Sequence, residues 1–249
     1  MLGTVSADQV TLDLAGGPFE PGATAAATGS SEIEFVLSLG AGTDAVVIQG
    51  GSGGQQLTLG SRGANLNGDD DGDDVISAAG GQGTGAAFPT PVTLEGEYGD
   101  DQLTGGESAD TEDGGAGKDQ FKETSAADAG DVLVGGNGSD TANYAARSTD
   151  LAIVLDGLAD DGEPFEGDNL GTDVEKVTGG KGADTIDAGS ATVKNVFKGG
   201  KGSDVLLGRA GDDTLNTQDG TGGNDTADGG ADTDTCLVDT GDATVSCES

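Results

Sequence analysis

The sequence contains no histidine, one methionine and two cysteines among its 249 residues. Without histidine, the Ser–His and Cys–His relays of common hydrolases cannot form. The scarcity of imidazole and sulfur also argues against haem and soft-metal sites. Oxygen atoms remain as the available ligands, and these suit hard cations.

Apolar and basic residues are scarce as well. Hydrophobic residues make up 33% of the chain and aromatic residues 3%, which is little for a packed globular core. Ten Lys and Arg stand against 46 Asp and Glu, a formal net charge of −36. This charge repels phosphate backbones and anionic membranes, so neither nucleic-acid binding nor membrane insertion is expected. Because self-repulsion also opposes compaction, the chain needs cations to fold.

Glycine and aspartate are abundant, and they recur at a fixed spacing. Residues 199–216 read GGKGSDVLL and then GRAGDDTLN, two nine-residue repeats with an aspartate at the sixth position and a leucine at the eighth. Glycine allows turns with φ > 0, and each turn is followed by a β-prone segment with one inward apolar residue. The pattern predicts a tight turn and a short strand in every repeat.

Further copies place an acid at the sixth position along most of the chain. The acids predicted to bind metal are Asp44, Asp74, Asp101, Asp110, Asp119, Asp140, Asp184, Asp204, Asp213, Asp225 and Asp234. Two copies depart from the pattern: Glu112 takes an inward position, and Asn195 takes an acid position. Residues 67–78 imitate the start of an EF-hand loop, but Ala78 stands where a bidentate glutamate is needed, so that alternative is rejected.

Stacking of the repeats predicts how the acids meet. If each nonapeptide forms half a coil, repeats two apart lie on the same side, with strands about 4.8 Å apart. Aspartates then form columns, and like charges in a column are unfavourable unless cations lie between them. Ca²⁺ takes six to eight oxygen ligands at about 2.3–2.6 Å, which carboxylates and turn carbonyls supply. Several Ca²⁺ ions are therefore expected, each joining one coil to the next.

Three segments do not fit the repeat. Residues 4–14 and 32–39 alternate apolar and polar residues and are expected to form strands in an N-terminal cap over residues 1–39. An insert at about residues 144–178 contains a strand-like stretch and an acidic stretch. It is interpreted as a solvated loop, with a dedicated binding site as the alternative. Near the C-terminus, Cys236 and Cys247 are close enough in sequence for a disulfide, which would indicate an oxidising compartment.

The repeats resemble the RTX, or hemolysin-type, calcium-binding family from about residue 40 onwards. The resemblance implies an all-β fold, the right-handed parallel β-roll of that family, with sixth-position aspartates as calcium ligands. The closing stretch DTCLVDTGDATVSCES also resembles the C-terminal cap of secreted actinobacterial members. The roll is expected over residues 40–249, with a disulfide-closed cap at about residues 236–249.

These observations together predict a non-catalytic, calcium-binding structural, surface or adhesive protein that works outside the cell. The opening MLGTVSADQV shows neither a basic nor an apolar signal region, so no secretory signal is expected within it. Two alternatives stay open. One is the repeat tail of a secreted hydrolase or toxin without its catalytic domain. The other is a subunit that associates end to end into an extracellular filament, because exposed terminal strands can pair with another molecule.

Overall fold

A computed structural model describes residues 9–13, 33–35, 45–49, 55–60, 63–68, 75–77, 92–96, 100–105 and 109–248. These residues form strands and turns, with no helix among them and hence none that could cross a membrane. The strands are β1 (Gln9–Asp13), β2 (Ile33–Phe35), β3 (Ala45–Gln49), β4 (Gln55–Gly60), β5 (Gly63–Gly68), β6 (Val75–Ser77), β7 (Val92–Glu95), β8 (Gln102–Thr104), β9 (Thr111–Asp113), β10 (Ala116–Gly117), β11 (Gln120–Lys122), β12 (Val132–Val134), β13 (Asn137–Gly138), β14 (Thr141–Asn143), β15 (Ala152–Val154), β16 (Asn169–Leu170), β17 (Lys176–Thr178), β18 (Thr185–Asp187), β19 (Val196–Lys198), β20 (Val205–Leu207), β21 (Thr214–Asn216), β22 (Thr226–Asp228), β23 (Thr235–Leu237) and β24 (Ala243–Val245).

The chain divides into two compact units. The N-terminal unit comprises Met1–Phe121 and Gly136–Gly138, and the C-terminal unit comprises Lys122–Gly135 and Ser139–Ser249. In the N-terminal unit, β1, β3, β7 and β9 pair in parallel in that order. A second parallel series runs through β4, β6, β8 and β11, and β10 pairs with β13.

One part of the N-terminal unit is antiparallel, which the repeat pattern does not predict. Strand β5 pairs antiparallel with both β2 and β4. Gly60 lies opposite Gly63, so β4 and β5 are joined by two residues. A connection of this length suits an antiparallel hairpin and is too short for a parallel crossover.

The C-terminal unit is a parallel β-solenoid. One series runs through β14, β17, β19, β21 and β23, and another through β15, β18, β20, β22 and β24. Strand β12 pairs in parallel with β16. Consecutive repeats therefore alternate between two series, and repeats two apart are hydrogen-bonded neighbours. This confirms the predicted half-coil arrangement.

Much of the core of the C-terminal unit comes from the middle residues of its short strands. Side chains alternate across a strand, so a three-residue strand directs its centre inward and its ends outward. Stacking then places these centres in register, as with Phe197 beside Leu215 and Ile186 beside Leu206. The residues buried in this way are Leu133, Ala142, Ile153, Val177, Ile186, Phe197, Leu206, Leu215 and Ala227.

Several predictions about the flanking segments can be compared with the strands. Strands β1 and β2 lie within the two N-terminal segments expected to be extended. A disulfide joins Cys236 to Cys247, as predicted. The interpretation of the insert as a solvated loop is wrong for Asp161, Glu166 and Asp168, which are buried. These acids are buried because they bond to backbone groups and to an arginine inside the unit.

Candidate metal centre

The predicted ligands occupy equivalent places. Each of the nine that the structure describes immediately precedes the strand of its repeat and is at most 2% exposed. They are Asp101, Asp110, Asp119, Asp140, Asp184, Asp204, Asp213, Asp225 and Asp234. Asp44 and Asp74 lie outside the described residues. Fully buried carboxylates are rare unless they are paired or coordinate a metal, so this placement is consistent with metal ligands.

In the C-terminal unit these acids form two columns. The first column contains Asp184, Asp204 and Asp225, which precede β18, β20 and β22. The Asp184 N–H donates to Asp204 Oδ1 at 3.0 Å, and the Asp204 N–H donates to Asp225 Oδ1 at 2.7 Å. Each aspartate thus uses one carboxylate oxygen to bind the backbone of the preceding coil.

The second column contains Asp140, Glu175, Asn195, Asp213 and Asp234. Glu175, Asp213 and Asp234 accept a backbone N–H in the same way, whereas Asn195 Oδ1 accepts no hydrogen bond. The Asn195 N–H donates to Asp213 Oδ1 at 2.7 Å, and the Asp213 N–H donates to Asp234 Oδ1 at 2.9 Å. In the N-terminal unit, the Asp101 N–H donates to Asp119 Oδ1 at 2.8 Å. Asn195 accordingly takes the acid position as predicted, with an amide in place of the carboxylate.

The other carboxylate oxygen has a different environment. The Oδ2 atoms of Asp204, Asp213, Asp225 and Asp234 are buried and accept no hydrogen bond. A buried carboxylate oxygen without a donor is costly, because its hydration is lost and nothing replaces it. One oxygen of each aspartate is therefore used by the fold, and the second is left for another ligand.

In several repeats, glycine at the first position leaves space beside this second oxygen. A Cβ built on Gly208 would lie 2.5 Å from Asp213 Oδ2 and 2.6 Å from the carbonyl oxygen of Gly229 in the next stacked repeat. The same two kinds of oxygen lie close to Gly179, where they come from Asp184 and Gly199. Any side chain at these positions would occupy the space between the carboxylate and the carbonyl.

Burial also changes the protonation of these acids. Desolvation raises the pKa of Asp184 to about 6. It also raises the pKa of Asp119, Asp204, Asp213 and Asp225 above the usual value, and the backbone N–H donors only partly oppose this. A raised carboxyl pKa means that the environment disfavours the negative charge, which a bound cation would stabilise.

Comparison with known families agrees with this geometry. The model of the RTX calcium-binding nonapeptide repeat matches in four copies, at residues 93–121, 171–191, 194–221 and 216–245. The chain contains RTX repeats. A comparison with curated proteins finds no match to the chain. RTX nonapeptide repeats bind calcium, so calcium ions are partners of this protein.

The residues present fit calcium. Carboxylate oxygens that accept no hydrogen bond and turn carbonyls are the hard donors that Ca²⁺ prefers, and the chain offers no imidazole at all. In the RTX repeats, Asp204, Asp213, Asp225 and Asp234 would hold the ions through Oδ2. The bound ion would supply positive charge between stacked coils.

Three further acids, Asp131, Asp168 and Glu175, stand in equivalent positions that the nonapeptide pattern does not reveal. The Asp131 N–H donates to Asp168 Oδ1 at 3.0 Å, and the Asp140 N–H donates to Glu175 Oε2 at 2.9 Å. Each acid precedes a strand whose next inward residue is apolar, in the sequences DVL, DNL and EKV. A shorter pattern, an acid two places before an inward apolar residue, would have found all three without the glycines.

A second acidic cluster surrounds the fully buried Arg147. Its Nη2 lies 2.6 Å from Glu166 Oε1 and 3.0 Å from Glu123 Oε2, and Asp128 and Glu163 lie within 3.6 Å of the guanidinium. Glu123 and Asp168 also belong to a group of carboxylates close enough to share a metal ion. Arg147 already supplies a cation here, so this arrangement differs from the RTX columns.

The acids around Arg147 outnumber it, and this affects their pKa values. Burial raises the pKa of Glu123 to about 8 and that of Asp128 to about 7, although Arg147 acts in the opposite direction. Burial likewise raises the pKa of Asp168 to about 6, while the Tyr144 hydroxyl donates to its Oδ2 at 2.8 Å. The cluster connects residues 123–128 to the insert in the interior of the C-terminal unit.

Proposed function

We propose that the chain is a calcium-dependent structural module that works outside the cell, as a surface or adhesive element, and catalyses no reaction. The observation that carries this is the series of buried aspartates whose second oxygens accept no hydrogen bond. In water-free surroundings these charges oppose folding, and bound calcium reverses their effect. Folding is therefore coupled to the calcium concentration.

An extracellular location is supported by two features. The disulfide between Cys236 and Cys247 is typical of oxidising compartments, and cytosolic thiols are usually kept reduced. RTX repeats are also typical of secreted proteins. Outside the cell, calcium reaches the concentrations at which extracellular calcium modules bind it, about 0.1 to 1 mM.

A structural role without catalysis is supported by how the candidate acids are used. One carboxylate oxygen is bonded to the neighbouring coil, and the other is placed to bind metal, in Asp204, Asp213, Asp225 and Asp234. The absence of histidine removes the commonest general base. These acids serve the stacking of the chain, since none is presented at its surface.

Limited proteolysis at graded calcium concentrations tests this function. The full chain should be cleaved throughout at calcium levels of about 0.1 μM and become resistant between about 0.1 and 1 mM. Magnesium at the same concentrations is the control, because it demands octahedral geometry and keeps its waters. Resistance that is already complete without calcium, or that magnesium produces equally, would contradict the proposal.

A further inference from the structure

We propose that residues 246–248 form the last calcium site of the second column and that the Cys236–Cys247 disulfide holds them there. This inference rests on the proposed calcium function and deepens it. It assigns ligand roles to Ser246 and Glu248, which belong to no nonapeptide. It also links calcium affinity at this site to the redox state of the two cysteines.

The first observation is that Glu248 continues the second column. The Asp234 N–H donates to Glu248 Oε2 at 2.7 Å, just as the Asp213 N–H donates to Asp234 Oδ1 at 2.9 Å. The Glu248 N–H in turn donates to the Asp234 carbonyl at 2.9 Å. The glutamate carboxylate therefore stands where the sixth-position aspartate of another repeat would stand.

The second observation concerns the carbonyl of Ser246. In the preceding coil, the Gly229 carbonyl and Asp213 Oδ2 face the first glycine, Gly208. In the last coil, the Ser246 carbonyl and Asp234 Oδ2 face Gly229 in the same way, both within 3.0 Å of where a Cβ would lie. Ser246 has φ 49°, a left-handed conformation that is unusual for serine and that fits a turn held in place.

The third observation concerns the carboxylate oxygen of Asp234 that the backbone does not use. Asp234 is fully buried, and its Oδ2 accepts no hydrogen bond. Residues 246–248 contribute two further oxygens. The Ser246 carbonyl faces Gly229 together with Asp234 Oδ2, and the Glu248 carboxylate accepts the Asp234 N–H. Carboxylate and carbonyl oxygens are the donors that suit Ca²⁺.

The disulfide explains how residues 246–248 can be held in place without the apolar packing of a whole repeat. Cys247 lies between the two proposed ligands, and its partner Cys236 is the middle residue of β23. The side chains of β24, which leads to the tripeptide, are exposed and contribute little packing. The covalent bond therefore restrains residues 246–248 where apolar contacts do not.

Replacing Glu248 by glutamine tests the ligand role. Glu248→Gln retains an amide oxygen that can accept the Asp234 N–H but removes the charge that a cation would bind. We expect one ion to bind at least about tenfold more weakly in isothermal titration calorimetry, while the other ions keep their affinity. The amide signal of Asp234 in NMR spectra should shift at correspondingly higher calcium. Asp160→Asn, an equal charge change at an exposed residue of the insert, is the control and should leave both readouts unchanged.

Replacing both cysteines tests the link to the disulfide. Cys236→Ser with Cys247→Ser should weaken the same ion by a similar factor, and chemical reduction of the wild-type chain should do the same. Adding Glu248→Gln to the cysteine double variant should have little further effect, because both changes act on one site. Circular dichroism in excess calcium should show that the remaining coils still fold.

The outcomes separate this inference from the proposed function. If the wild-type chain binds no calcium, the proposed function fails and the inference fails with it. If the wild type binds calcium but Glu248→Gln titrates identically, the tripeptide is not a ligand and only the inference is overturned. Additive losses from Glu248→Gln and the cysteine changes would show that the disulfide acts elsewhere, which overturns the redox link.

Discussion

At the residue scale, the two carboxylate oxygens of a column aspartate have different roles in Asp204, Asp213, Asp225 and Asp234. Oδ1 accepts the backbone N–H of the preceding coil, which fixes the register of the stack. Oδ2 is buried without a donor in Asp204, Asp213, Asp225 and Asp234. The backbone bond orients the side chain, and the orientation places the second oxygen for the metal.

Asp213 and its neighbour Asp212 offer a matched test of this division. Asp213 is buried in the second column, whereas Asp212 is exposed and accepts the Thr233 N–H. Asp213→Asn should raise the calcium concentration needed for folding by about tenfold or more, because a charged ligand is lost. Asp212→Asn removes the same charge and should change that midpoint little, as expected for a surface group. Calcium titrations followed by circular dichroism measure both midpoints, and equal shifts would contradict the assignment.

The pH dependence of the calcium-free chain should be opposite to that of most acidic proteins. The pKa of Asp184 is about 6 in the folded state, against 3.8 for an ordinary aspartate, so the folded state holds its proton more tightly between these values. The free energy of unfolding should therefore increase as pH falls through about 6 and decrease as pH rises through it. Circular dichroism without calcium, from about pH 7 to pH 4, should show strand signal appearing on acidification. Identical spectra across this range would argue against the burial of these acids.

At the element scale, the strands are too short to be stable alone. Most strands of the C-terminal unit have three residues with one buried side chain, so stability comes from stacking with neighbours. Stacking joins elements through backbone bonds and inward residues in register. Deleting one strand should therefore destabilise the strand that it covers more than it destabilises distant strands.

Strand β1 provides a test of this idea in the N-terminal unit. It pairs in parallel with β3 over five residues and ends its series there. Deleting residues 1–15 should expose the edge of β3 and cause aggregation in the presence of calcium, since an uncovered edge can pair with another chain. Light scattering would measure this. Filaments that are present in the full chain and lost on deletion would instead support end-to-end assembly.

The repeating part of the fold could be predicted from the sequence because its contacts are periodic. Asp204 and Asp213 can be recognised because glycines and an apolar residue accompany them at fixed spacing. Glu175 and Asp168 cannot, because the insert lacks the glycines that mark a repeat. The position of Arg147 could not be predicted, since its partners lie from residue 123 to residue 166 and meet only when the insert folds back.

At the scale of the whole molecule, net charge has the largest influence on whether the chain folds. A net charge of −36 and an apolar fraction of 33% make the metal-free chain similar in composition to disordered proteins. Under the proposed function, each Ca²⁺ ion would offset two carboxylates and connect neighbouring coils. Binding and folding would then be one process, and the stability of the chain would depend on the free calcium concentration.

The far-ultraviolet circular dichroism of the full chain, with chelator and then with millimolar calcium, tests this central claim most directly. We predict a largely unfolded spectrum in chelator at neutral pH and a cooperative change to a strand spectrum as calcium is added. Sodium chloride at matched ionic strength, which only screens charge, should not produce the change. A complete strand spectrum in chelator, unaltered by calcium, would contradict the account.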